Sequence, residues 1–100
     1  MKDKLQHINK AFESKVRLGI MSVLITQPEV PFKTLKEILG LTDGNLASHL
    51  KALEKLEYIQ VSKTFVGRKP QTTYQITKQG DADFKAHIQA LENFLNSQRP

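Results

Sequence analysis

An α+β domain, mostly α, is what this sequence of 100 residues predicts. Three observations predict it. Apolar residues recur at helical spacing along most of the chain. One segment, about residues 58–77, switches to period-two alternation. Gly or Pro punctuates most of the changes. The expected order is four helices, a two-stranded β-hairpin and a long last helix, within a single domain over 1–100.

The first helix is expected at about residues 3–12, where Leu5, Ile8 and Phe12 make one narrow stripe. So short a helix needs a partner surface, because isolated helices of this length are marginal in water. Ser14 has the chemistry of an N-cap for a second helix reaching about Gln27, stopped before Pro28. Its Val16, Ile20 and Val23 face one way and Leu18, Met21 and Ile25 nearly the other, so both sides seek cover. Pro28-Glu29-Val30-Pro31 reads as a loop. A short third helix at about 32–39 turns Leu35, Ile38 and Leu39 inward, and Gly40 ends it in a left-handed conformation.

Thr42 is the expected N-cap of the fourth helix, residues 43–56, and Asp43 in its first turn complements the helix dipole. Leu46, Leu50 and Leu53 form its buried stripe. Gly44, Ser48, Lys51 and Lys55 stand opposite, with Asn45 and His49 flanking them, and that stripe holds no acid and no large apolar group. Ile59, Val61 and Phe65 then alternate with Gln60, Ser62 and Thr64, a turn follows at Gly67-Arg68-Lys69-Pro70, and Thr72-Thr73-Tyr74-Gln75-Ile76 returns. Phe65 and Tyr74 are read as inward. Thr77 caps a last helix at about 78–97, whose Phe84, Ile88, Leu91 and Leu95 share one sector.

The charge is local. The chain has 15 Lys+Arg against 10 Asp+Glu, a net charge of +5. Residues 58–80 contain no acid and carry Lys63, Arg68, Lys69 and Lys78, which leaves 11 bases and 10 acids elsewhere. A basic hairpin tip fits a phosphate or minor-groove contact, and it equally fits a solvated edge whose lysines resist aggregation. The combination says more. A short helix, a tight Gly turn and a second helix with a polar outer face make a helix-turn-helix at about 32–56, and the hairpin at about 58–77 makes its wing. Such a helix fits the major groove, roughly 12 Å wide. Thr42, Gly44, Asn45, Ser48, His49, Lys51 and Lys55 are then the candidate contacts from the helix, with Lys63, Arg68 and Lys69 from the wing. Taken singly, each is also ordinary surface chemistry.

Several classes are excluded or disfavoured. The chain has no Cys, which removes disulfides, thiolate metal sites and thiol catalysis. It shows no Gly-rich phosphate loop, nucleophile elbow, triad or carboxylate dyad, so no enzyme and no cofactor are expected. His7, His49 and His87 fall in three different helices without ligand pairing, although His7 and His87 could meet at a seam, and no metal site is expected. The charged start Met1-Lys2-Asp3-Lys4 lacks the apolar core of a signal peptide and no run could span a membrane, so a cytoplasmic chain without a membrane partner is expected. Two rivals remain: a winged module that docks a protein, which would show apolar anchors on the helix, and an RNA binder, which would show stacking aromatics.

Residues 14–96 resemble the winged helix-turn-helix regulators of the ArsR/MarR-like superfamily, most closely the compact single-domain branch. The resemblance is carried by Val16-Arg17-Leu18-Gly19-Ile20-Met21, Phe32-x-x-Leu35, Leu41-Thr42-Asp43-Gly44-Asn45-Leu46, His49-Leu50-Lys51-x-Leu53-Glu54, Tyr58-Ile59, Phe65-x-Gly67-Arg68-Lys69-Pro70, Tyr74-x-Ile76-Thr77 and Gly80. It implies a homodimeric, sequence-specific binder of double-stranded DNA. The helix beginning at Thr42 would enter the major groove, with Arg68 and Lys69 at the wing tip. It also implies dimerisation through the terminal helices, whose stripes are Leu5, Ile8 and Phe12 and Phe84, Ile88, Leu91 and Leu95. A small-molecule effector is not singled out by any residue. Two departures stand out: Ala47 where many relatives have Ser, and Glu57 where they usually have Gly. A left-handed Glu57 would cost roughly 1 kcal/mol, and otherwise the wing angle would change.

Overall fold

The computed structural model describes residues 9–98 and has the predicted class, a winged helix with α-helices outweighing strands. A 3-10 turn at Lys10–Phe12 leads into α1 (Lys15–Thr26). Then follow β1 (Val30–Pro31), α2 (Phe32–Leu39), α3 (Asp43–Lys55), β2 (Ile59–Val66), β3 (Lys69–Ile76) and α4 (Lys78–Gln98).

The caps read from sequence are formed. Ser14 Oγ accepts from the Arg17 N–H, Thr42 Oγ1 from Asn45 and Thr77 Oγ1 from Gly80. Gly40 is left-handed at φ 63° and donates its N–H to Lys36 O at 2.9 Å. Lys36 also reaches across the turn to the Asp43 carboxylate at 2.9 Å, which ties α2 to the start of α3.

Several expectations change. The first helix does not run unbroken through residue 12. Asn9 is extended, and its side chain caps the 3-10 turn by accepting from Ala11 N–H; Leu5 and Ile8 lie outside the described residues. The loop before α2 contributes β1. Val30 and Pro31 pair with Tyr74 and Thr73, giving a three-stranded antiparallel sheet in the order β1-β3-β2. Pro31 is tolerated there because β1 is an edge strand. The wing turn is tighter than expected. Val66 pairs with Lys69, so only Gly67 and Arg68 turn, and Gly67 takes φ 65° as the first position of a primed hairpin turn requires.

The core joins Ile20, Met21 and Leu24 of α1, Leu35 of α2, Leu46, Leu50 and Leu53 of α3, Val30, Ile59 and Tyr74 of the sheet, and Phe84 of α4. Full burial of each such aliphatic side chain contributes about 1.5–3 kcal/mol. Leu24 was on neither stripe read from α1, yet it sits one turn beyond Ile20 on the same side. Ile38 is not inward: it is 52% exposed, because the core side of α2 is taken by Leu35 and by Leu39 one turn further on.

The end of α3 is where the Glu57 question is decided. Glu57 is left-handed at φ 63°, its N–H donates to Glu54 O, and the Tyr58 N–H donates to Leu53 O at 3.0 Å. That is the helix-ending pattern usually made with Gly, here made with Glu at a cost of about 1 kcal/mol. The Thr77 hydroxyl donates to Glu57 O at 2.7 Å and the Thr77 N–H to Tyr58 O at 3.0 Å, which holds the strained exit. Gly80 completes the joint: a Cβ there would collide with the Tyr58 carbonyl.

Phe12 packs on Tyr58 and Phe84, with ring centroids 5.3 Å away in each case. It is therefore part of this chain's own core. The molecule is long, 58 × 25 × 21 Å, because α4 and the wing both project from the helical body.

Candidate nucleic-acid interface

The outer side of α3 is assembled as its spacing predicts. Gly44, Asn45, Ser48, Lys51 and Lys55 are exposed, while Leu46, Leu50 and Leu53 fasten the opposite side to the core. Nothing lies within 4 Å of where a Cβ on Gly44 would stand, so another backbone can approach the helix start closely. Thr42 is exposed, but its hydroxyl oxygen already serves as the N-cap. Asp43 would repel a phosphate at the same helix end, and its ion pair with Lys36 offsets that charge.

His49 is half-buried rather than free. Its Nδ1 accepts a hydrogen bond from Arg17 Nε of α1 at 3.1 Å. Arg17 was not among the candidate contacts. The pairing joins positions 32 apart in sequence, and no local pattern signals it.

The wing presents Lys63, Arg68 and Lys69, all exposed, and none of them forms an ion pair among the described residues. Lys33, at the start of α2, lines one groove of about 490 Å³ together with Lys69, Pro70 and Tyr74, so the fold adds a base that the sequence run did not contain. Tyr74 is inward as read and its ring meets Phe32, with centroids 6.4 Å apart; burial pushes its phenol pKa up. Phe65 is not inward. It shares a face with the buried Ile59, but the hairpin extends past the helices there, and Phe65 is left 71% exposed. Periodicity fixes the side of a strand, not how far the body beneath it reaches.

The apolar stripe of α4 divides. Phe84 is buried against Phe12, Leu91 is half-buried, and Ile88 and Leu95 are exposed at 42% and 60%. Phe12 and Phe84 thus leave little side chain for a second copy of the chain, and Ile88, Leu91 and Leu95 carry the free part of the stripe.

His87 is buried; its Nδ1 accepts the Asn9 N–H at 3.1 Å and its ring meets the edge of Phe12. Desolvation holds its pKa below the ordinary histidine value, opposed by Glu13. His7 lies outside the described residues. Among the described residues no group of three His, Cys, Asp or Glu could hold a metal ion, and no helix is long and apolar enough to cross a membrane.

Comparison with known proteins agrees with this geometry. The sequence profile described as winged helix DNA-binding domain matches residues 16–95. An uncharacterized protein of Methanocaldococcus jannaschii is 39% identical over 79 residues, 79% of this chain and 86% of that protein. The structure of a transcriptional regulator homologue from Pyrococcus horikoshii superposes with a TM-score of 0.89 at 31% identity, covering 98% of this chain and 99% of the other. The crystal structure of MarR shares the fold, with a TM-score of 0.75 at 13% identity over 91% of this chain and 66% of that one.

Proposed function

This chain belongs to the winged helix DNA-binding domain family of transcriptional regulators, and from that membership we propose a homodimer that binds double-stranded DNA sequence-specifically. The carrying observation is a polar outer stripe with two lysines on α3, followed in the chain by a hairpin that exposes three bases. The outer face of α3 shows Gly44, Asn45, Ser48, Lys51 and Lys55 without an apolar anchor, and Lys63, Arg68 and Lys69, which form no ion pair among the described residues, stand on the adjoining hairpin. In this reading α3 enters the major groove. Asn45 and Ser48 hydrogen-bond base edges, Lys51 and Lys55 neutralise phosphates, and the wing meets the adjacent backbone or minor groove. The exposed Ile88 and Leu95 beside Leu91 support a second copy docking along α4. Two α3 helices would then address half-sites about one helical turn apart. The fold and family are those of DNA-binding regulators rather than of enzymes.

Selection of bound duplexes from a random pool tests this directly, followed by anisotropy across a salt series. A palindromic motif and a steep loss of affinity with salt are expected. Replacing Arg68 and Lys69 together by Ala removes up to four phosphate contacts from a dimer; it is expected to lower the salt slope by about 4 and to leave the motif unchanged. An unaltered slope would remove the wing from the interface. One observation favours a second reading: Phe65 and Val66 are exposed on the wing, at 71% and 61%, as apolar anchors for a protein partner would be. A chain used only in that way binds no duplex even at low salt.

A further inference from the structure

We infer that Arg17 and His49 together form a phosphate-binding clasp on the flank of α3, making α1 part of the DNA interface. This rests on the DNA-binding reading above and names a residue that it does not use. The observation is the 3.1 Å hydrogen bond from Arg17 Nε to His49 Nδ1.

The bond has two chemical consequences. A ring nitrogen that accepts a hydrogen bond carries a lone pair, so a neutral His49 keeps its proton on Nε2. Arg17 thereby fixes the tautomer, and Nε2–H becomes a donor of defined position. Arg17 in turn spends only one of its donors on the ring. Its guanidinium fork still offers the Nη groups, whose planar spacing matches two oxygens of a phosphate.

Both sets of donors are available. Among the described residues, neither His49 Nε2 nor the Arg17 Nη groups have a hydrogen-bond partner, and no buried side-chain nitrogen or oxygen is left unpartnered. These donors therefore reach solvent. Arg17 forms no ion pair among the described residues, so no carboxylate among them neutralises its charge. His49 flanks the Gly44, Ser48, Lys51 and Lys55 stripe, on the side toward α1. A helix in the major groove has the bases before its outer stripe and the sugar-phosphate backbone along its flanks, and a backbone phosphate is the anion this position would meet.

Three variants and two measurements test the clasp. The first readout is the ¹⁵N tautomer signature of His49 by NMR, in the protein without DNA. The second is the salt slope and affinity on a duplex that the wild type selects. Arg17→Met keeps the side chain's bulk but removes its donors and charge. It is expected to release His49 into a mixture of tautomers, reduce the slope by about 2 (one contact from each protomer of the dimer) and weaken binding on the order of tenfold, with the selected motif unchanged. Arg17→Lys keeps the charge without the fork; it is expected to recover most of the slope but not the affinity. His49→Phe, which cannot donate, is expected to lose affinity without loss of slope.

The ways of failing are separable. A wild type that binds no duplex defeats the DNA reading itself, while the tautomer measurement still reports on the pair. A wild type that binds DNA, with Arg17→Met matching it in slope and affinity, overturns the clasp. A changed motif in Arg17→Met would also overturn it, because a phosphate contact carries no base information.

Discussion

Helices α3 and α4 carry the same apolar spacing and meet opposite fates. Leu46, Leu50 and Leu53 of α3 are at most 1% exposed, whereas the α4 stripe goes from Phe84 at 5% to Ile88 at 42% and Leu95 at 60%. The spacing is four and three in one helix and four, three and four in the other. What differs is the cover available. Helix α3 is flanked by α1 and β2, while α4 is 21 residues long and has no buried residue after Ala90. Periodicity therefore states that a face seeks cover, and only the packing states who supplies it. The free surfaces differ accordingly. The outer stripe of α3, Gly44, Ser48, Lys51 and Lys55, is polar and basic, whereas the distal half of α4 leaves Ile88 and Leu95 exposed among polar neighbours.

The largest expected effect probes the covered stripe. Leu50→Ala opens a cavity in the core and is expected to cost about 2–5 kcal/mol in urea unfolding. The same truncation at Leu95 is expected to cost less than about 0.5 kcal/mol in protein dilute enough to be monomeric. Equal losses at the two sites would mean that the end of α4 is covered by its own chain.

Next comes the free stripe. Ile88→Glu combined with Leu95→Glu places two carboxylates where a second copy is proposed to dock. Sedimentation velocity is expected to show a dimeric wild type and a monomeric variant of unchanged helix content by circular dichroism. A variant that stays dimeric moves the interface away from α4.

Much of this was readable in the sequence because it is local. The caps at Ser14, Thr42 and Thr77, the left-handed Gly40 and the α3 stripe all depend on residues within a turn or two of each other. The features that were not readable depend on distant segments. The pairing of Val30 with Tyr74, the meeting of Arg17 and His49, and Lys33 lining a groove with Lys69 each join parts of the chain more than 30 residues apart. Phe65 failed for a related reason. Alternation places it on the side of Ile59, but burial depends on what packs beneath that point, and Phe65 is exposed.

The exit of α3 gives a smaller effect of opposite sign. Glu57 occupies a left-handed position, at φ 63°, that Gly adopts without steric penalty. Glu57→Gly is expected to raise stability by about 1 kcal/mol, read as a higher urea midpoint with an unchanged slope. A loss instead would mean that the Glu57 side chain holds the joint with Thr77 more than its backbone strains it.

The most confined effect lies at the root of α4, the part of that helix that is buried as α3 is. His87 accepts the Asn9 N–H through Nδ1, and burial lowers its pKa from the ordinary 6.5, with Glu13 the acid that pulls the other way. A histidine with a lowered pKa in the folded state favours folding while it is neutral. Its contribution is complete above the unfolded value and is lost as pH falls from about 6.5 through the folded value, because the unfolded chain takes up the proton first. Stability of the wild type should therefore decline on acidification in that window. In His87→Gln, whose amide oxygen can still accept the Asn9 N–H but does not titrate, the decline should be shallower. Comparing slopes cancels the contributions of the other histidines, which both proteins share. Parallel slopes would mean that His87 is hydrated in solution, and that the N-terminal turn does not seal the root of α4 as Leu50 and Leu53 seal α3.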